Sequence, residues 1–245
     1  MRAILPLSAG ILLASCLFAA TGLIEDELLP GRLHSLAEPV VLFDGSSLDA
    51  WNLYTEDASV ALADVATVED GVLHMAGAPY GYLQTERWYR DYVLDLEWRW
   101  PVGEDGEARA GNSGVLVHSS APFIFYVWPR SLEVQLQSGS AGDFWVIGDD
   151  VDIRVANEGE RRVEPKAGDL HSHRRIRNLT DDSEKPLGEW NHMRVECAGD
   201  RLRVWVNDEL VNDGTACTVS EGAIALQSEG TPIEFRDLRL SPLKE

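Results

Sequence analysis

An all-β sandwich is the fold class that this sequence predicts, and three observations predict it. Short runs that alternate apolar and polar residues recur from Val40 onward. Clusters of Gly, Asp and Asn separate these runs at Glu69-Asp70-Gly71, Ala198-Gly199-Asp200, Asn212-Asp213-Gly214 and Glu221-Gly222, where a turn needs a left-handed backbone or a side chain that bonds its own main chain. No apolar stripe at helical spacing persists for three turns. Many short strands with regular turns make a sandwich.

Taken from the N-terminus, Met1-Arg2 and the apolar run Ala3 to Ala20 read as a secretory signal, predicted over residues 1–22. The run is too short, and too rich in small residues, for a comfortable membrane span. Leu13-Ala14-Ser15-Cys16 fits a bacterial lipobox, which would leave Cys16 as the lipidated first residue; cleavage near Ala20-Thr21-Gly22 is the alternative. Both routes export the chain, to the bacterial periplasm or to the outer membrane as an anchored lipoprotein, and the lipid would be the only contact with a membrane. Residues 23–38 form a polar tether, and 39–245 form the single β-sandwich domain.

Within that domain, Val93 to Trp100 puts Leu94, Leu96, Trp98 and Trp100 on one face and Asp95, Glu97 and Arg99 on the other. Leu132 to Gln137, Leu202 to Val206 and Ile224 to Gln227 repeat the pattern. One segment, 149–189, breaks it and carries 8 of the 21 Lys+Arg together with His171 and His173. It is either a solvated excursion paired with Glu158, Glu160, Glu164 and Asp169, or a positively charged lid over a site. With Cys16 removed or lipidated, Cys197 and Cys217 remain as an even pair in an oxidising compartment; a structural disulfide is expected, the alternative being two buried thiols.

The net charge of −20 sets a repulsive field against phosphate backbones and excludes nucleic acid as a partner. The 8 Trp fit either sugar stacking or a large core. The strongest polar cluster is Glu133, Gln135 and Gln137, which alternation points to one side of a strand. A carboxylate beside two amides suits recognition of sugar hydroxyls or a positioned general base. Asp143 and Trp145 follow a Gly-rich turn, bringing an acid and a large ring to the strand's end. His118 ends the strand that opens at Gly111-Asn112-Ser113-Gly114, and is either a base or a satisfied surface residue. His171 and His173 have chelating spacing on an extended chain but no defined third ligand. No His-Glu-x-x-His, Walker A or Gly-x-Ser-x-Gly motif occurs.

The segment Val41 to Trp51 resembles the opening of the 3-keto-disaccharide hydrolase family. The likeness continues through Val68 to Leu73, Tyr92 to Trp98, Gly111 to Val115, Glu133-Val134-Gln135, Pro186 to Asn191, Trp205-Val206-Asn207, Ile224 to Gln227 and Phe235 to Leu238. The resemblance implies a concanavalin A-like jelly-roll β-sandwich of two antiparallel sheets that holds a disaccharide, oligosaccharide or other glycoside. It also implies cleavage of glycosides already oxidised at C3, where the ketone acidifies the C2 proton, the C1 substituent is eliminated and water then adds. A bound divalent metal ion would be one means of polarising that ketone.

By the same resemblance, Glu133 and Gln135 match the family's Glu-x-Gln strand, and Asn112 with Ser113 its Asn-Ser turn. Glu133 or His118 would then serve as base or acid, Asn112, Gln135 and Gln137 would hold hydroxyls, and Trp145 would stack. Apart from the resemblance, the basic segment with His171 and His173 is expected to contact substrate, and its charge leaves an anionic sugar open. Where relatives read Leu-Gln-x-His-Gly, this chain reads Leu226-Gln227-Ser228-Glu229-Gly230, and Val204 stands where relatives carry a His. Either activity is lost, or Glu229 and His118 take over the chemistry. The rival class is a non-catalytic carbohydrate-binding or lectin-like envelope protein on the same fold. An ordinary endoglucanase would need Glu-x-Asp-x-x-Glu, and no Glu here precedes an Asp by two residues.

Overall fold

The alternating runs pair into two antiparallel sheets stacked face to face. A computed structural model describes residues 36–120, 122–163, 173–180 and 182–244. The predicted signal segment, Cys16, most of the tether and His171 lie outside the described residues. One sheet has nine strands: β10 (Arg154–Val155), β15 (Glu209–Thr215), β14 (Arg201–Val206), β13 (Asn191–Ala198), β6 (Tyr92–Arg99), β17 (Ile233–Pro242), β4 (Val72–Met75) and β3 (Ala66–Glu69) in that order, with β1 (Val40–Phe43) also on β17. The other has eight: β11 (Arg162–Val163), β12 (His173–Ile176), β9 (Phe144–Ile147), β8 (Ser131–Gln135), β7 (Gly114–Ser119), β16 (Ala223–Ser228), β5 (Gly81–Thr85) and β2 (Trp51–Thr55). Among the described residues, helix is confined to two single turns, Leu62–Val65 and Glu158–Arg161. No described helix is long and apolar enough to cross a membrane.

In the nine-stranded sheet the alternation holds. β6 buries every second residue, among them Leu94, Leu96 and Trp98, and turns Asp95, Glu97 and Arg99 outward, where Arg194 and His192 pair with Asp95 and Arg236 with Glu97. The eight-stranded sheet departs from it: β5, β7, β8 and β16 are buried on both faces. One face packs on the first sheet through Leu83, Val115, Val134 and Leu226. The other carries a second apolar cluster of Tyr82, Leu116, Ile147 and Ala225, covered by Val127 and Trp128 from the β7–β8 connection. Glu133 and Gln135 are therefore buried on this face and not turned to water as polar residues on a half-buried strand usually are.

Three expectations need correction. Asn212-Asp213-Gly214 is not a turn but part of β15, whose hairpin with β14 turns at Asn207-Asp208, both left-handed. Gly214 is small because Ile153 lies against it: a Cβ there would meet Ile153 Cδ1 at 2.2 Å. Segment 149–189 is no free excursion, since it supplies β10, β11 and β12 as edges of both sheets. Its Arg174 pairs with Asp152 and Glu158, as the solvated reading partly expected, but Arg161 is buried and donates to the carbonyls of Ala156 and Arg177 and to Asn212. The Cys197–Cys217 disulfide is not formed; both are free, buried thiols. Burial raises both, Cys217 to about 12, so each is a protonated thiol packed as a small apolar group.

Candidate functional site

The face of the eight-stranded sheet turned away from the core is built row by row from strand register. One row runs Gln84, Ala225, Leu116, Glu133, Trp145, Arg175 across five pairings. Beside it lie Tyr54, Tyr82 and Gln227, paired in that order, and Gly114 opposite Gln135. Gly114 leaves the gap in which the two key side chains meet: a Cβ on it would lie 2.5 Å from Gln227 Oε1 and 2.6 Å from Glu133 Oε1. Into that gap Gln227 Nε2 donates to Glu133 Oε2 at 3.2 Å.

Glu133 is only 4% exposed. Burial, then the like charge of nearby Glu229, pushes its carboxyl well above the usual range, with Gln227 and Arg175 opposing. Burial raises Glu229 as well, to about 7. Two carboxyls removed from water and set against each other are the arrangement in which one ionises near neutrality while the other keeps its proton. Asp143 is also buried and raised; it accepts from the Asn178 amide at 2.7 Å and pairs with Arg175 Nε at 2.7 Å, and Arg175 lies over the Trp145 ring at 5.8 Å. The basic segment thus sends one guanidinium to this face, already matched to a carboxylate.

Glu229 stands at the base of a cleft of about 440 Å³ walled by Tyr80, Phe125, Tyr126, Val127 and Trp128, with Glu56 at its edge. Tyr80 and Trp128 stack at 6.3 Å, and Tyr54 on Tyr82 at 5.0 Å. These rings, and Gln227, escaped the sequence reading. The signal was present in Phe123 to Trp128, an apolar run between two prolines that alternation leaves unexplained.

The predicted residues divide. Glu133, Glu229, Gln135, Asp143 and Trp145 belong to this face or its edge. Gln135 Oε1 is engaged by the backbone N–H of Leu136 and Gln137, so it shapes the strand's end. Gln137 lies past the end of β8, in a turn, and does not extend the row. Asn112 and Gln227 each hold a side-chain oxygen shut off from solvent with no hydrogen-bond partner among the described residues. Such buried acceptors are costly unless a ligand's donor completes them. The backbone of His173 is in β12 opposite Ile147, while His171 is outside the described residues.

His118 does not reach the site. Its left-handed backbone and a register break between β16 and β7 turn the ring inward, edge-on to Tyr92 at 6.0 Å, with Nδ1 3.1 Å from the Val219 carbonyl. Burial lowers it to about 4, a neutral interior imidazole. Val204, at the other replaced position, is a core residue of β14. A divalent ion does not fit what is present: among the described residues no three His, Cys, Asp or Glu side chains gather to hold a metal. The site offers two carboxyls and amides.

Solved structures similar to this chain share its fold. A candidate glycosyl hydrolase from Parabacteroides distasonis is 23% identical, with 84% of this chain and 100% of that one covered at a TM-score of 0.55. A carbohydrate binding module from Bacillus subtilis gives 11%, 78%, 96% and 0.54 in the same order, and a β-1,3-1,4-glucanase (lichenase) from a mouse hindgut metagenome gives 11%, 83%, 97% and 0.50. At these identities the likeness is one of fold, the concanavalin A-like sandwich expected from the sequence. No curated protein matches the sequence. Residues 38–241 match the model of the 3-keto-alpha-glucoside-1,2-lyase-like domain, and the chain belongs to that carbohydrate-active family.

Proposed function

We propose that the protein is an exported enzyme that cleaves the glycosidic bond of 3-keto-glycosides. The observation that carries this reading is the pair Glu133 and Glu229, two carboxyls raised by burial and by each other, of which Glu229 lines a ring-walled cleft. Glu229, near 7, is the base: ionised, it takes the C2 proton that the C3 ketone has acidified. The C–H electron pair moves into an enolate across C2 and C3. As the enolate collapses, C1 and C2 become doubly bonded, the C1–oxygen bond breaks, and the departing oxygen takes the proton that Glu133 has kept. Water then adds its hydroxyl to C1 and a proton to C2, which returns the 3-keto sugar and completes a net hydrolysis. Export rests on the N-terminal signal pattern, with anchoring through Cys16 or cleavage beyond it.

Incubation with a panel of 3-keto-glycosides tests the proposal. Wild type should release aglycone, with kcat/KM rising with pH through about 7, and Glu229→Gln should lose at least a hundredfold. No release across the panel would end the enzymatic reading. The exposed rings of Tyr80 and Tyr126 at the rim favour one alternative, a module that grips unmodified glycans by stacking alone. That reading expects Glu133→Ala and Glu229→Gln to bind such glycans as wild type does.

A further inference from the structure

We propose that the group released from C1 is flat and apolar, an aryl or arylalkyl aglycone seated in the cleft of Tyr80, Tyr126 and Trp128. This rests on the lyase reading above and adds to it the class of leaving group. A second sugar carries a hydroxyl on nearly every carbon, and a site that desolvates it must answer those hydroxyls with directed polar partners. The cleft answers with rings. Among the described residues, the polar side chains of its lining besides the tyrosines are Glu56 and Glu229. The polar side chains lie elsewhere, on the sheet floor, where Gln227 donates to the Glu133 carboxyl.

The division of polarity across Glu229 orients the substrate. The sugar ring lies over the floor, C2 faces Glu229, and the C1 substituent passes into the ring-walled space. That space, about 440 Å³, admits one or two fused rings. Tyr80 and Trp128 are already stacked at 6.3 Å, while Tyr126 is 65% and Tyr80 55% exposed, so both keep apolar surface for a guest to cover. Rings held in place by mutual packing lose little freedom on binding, which favours a rigid planar ligand.

Two substrates with leaving groups of similar basicity test this: the 3-keto derivatives of benzyl α-glucoside and of maltose. Wild type should prefer the benzyl compound by at least tenfold in kcat/KM, mainly through KM. Tyr126→Ala and Tyr80→Ala should each cut that preference at least threefold, and far-UV circular dichroism will show that both variants remain folded. Equal turnover of the two substrates, or a preference that survives both substitutions, overturns the aglycone assignment and leaves the enzymatic reading standing. Turnover of neither, with benzyl α-glucoside still bound more tightly than maltose by calorimetry and the difference lost in Tyr126→Ala, overturns the reaction and upholds the cleft's ligand class. Tighter binding of maltose overturns both.

Discussion

Replacing Glu229 by glutamine should stabilise the protein at neutral and alkaline pH. Burial raises the folded-state carboxyl from 4.5 to about 7. Between those two values the folded protein holds a proton that the unfolded chain has released, so stability falls as pH rises through this window and is constant beyond it. At about 1.4 kcal/mol per pH unit, the full fall is on the order of 3 kcal/mol. Glutamine cannot ionise and keeps the side chain's size and polarity, so the variant should lack this slope. Removing the neighbouring like charge also lets the Glu133 carboxyl descend, which adds in the same direction. Urea unfolding at several pH values from about 5 to about 8, with the m-value unchanged, measures the effect. Wild type and variant should agree near pH 5 and diverge by about 2–3 kcal/mol near pH 8, the variant being the more stable. Parallel curves, or a variant that is weaker throughout, would refute the claim that Glu229 is held desolvated.

Other substitutions probe the surrounding structure. Gly114→Ala would drive a methyl into Glu133 and Gln227; a loss of about 1–3 kcal/mol and a collapse of activity are expected, read by thermal melts and aglycone release. Arg161→Ala leaves two carbonyls and Asn212 without their charged donor and should cost about 3 kcal/mol by urea unfolding. Cys197 and Cys217 should resist a thiol reagent in the native protein and react fully in denaturant, as peptide mapping after alkylation will show; native labelling of either would contradict their burial.

How far the sequence led depends on whether a residue's environment comes from its own strand or from distant ones. The face of β6 was legible because its inward residues repeat every second position and its outward partners are ordinary charges. Glu133 and Gln135 were legible as a pair for the same reason. Their burial was not, since the face they share also carries an apolar cluster assembled from four strands, Tyr82, Leu116, Ile147 and Ala225, under Val127 and Trp128 of the β7–β8 connection. His118 illustrates the opposite failure. Simple alternation from Leu116 aims it at the site, and only the register break with β16, which leaves no trace in residue type, turns it toward Tyr92. Gly214 misled because a glycine demanded by a neighbour's bulk looks the same in sequence as one demanded by a turn.

The segment that walls the cleft and the strand that bears Glu133 are consecutive, since residues 122–130 lead straight into β8. One side of the access to Glu229 is therefore set by a single connection whose length is independent of the sheet's hydrogen bonding, facing Tyr80 before β5 and Glu56 after β2. Lengthening, shortening or exchanging that one stretch would reshape what can enter while both sheets, the Gln227–Glu133 contact and the core remain as they are. An architecture of this kind lets descendants diversify their substrates by indels at one address, at small risk to folding.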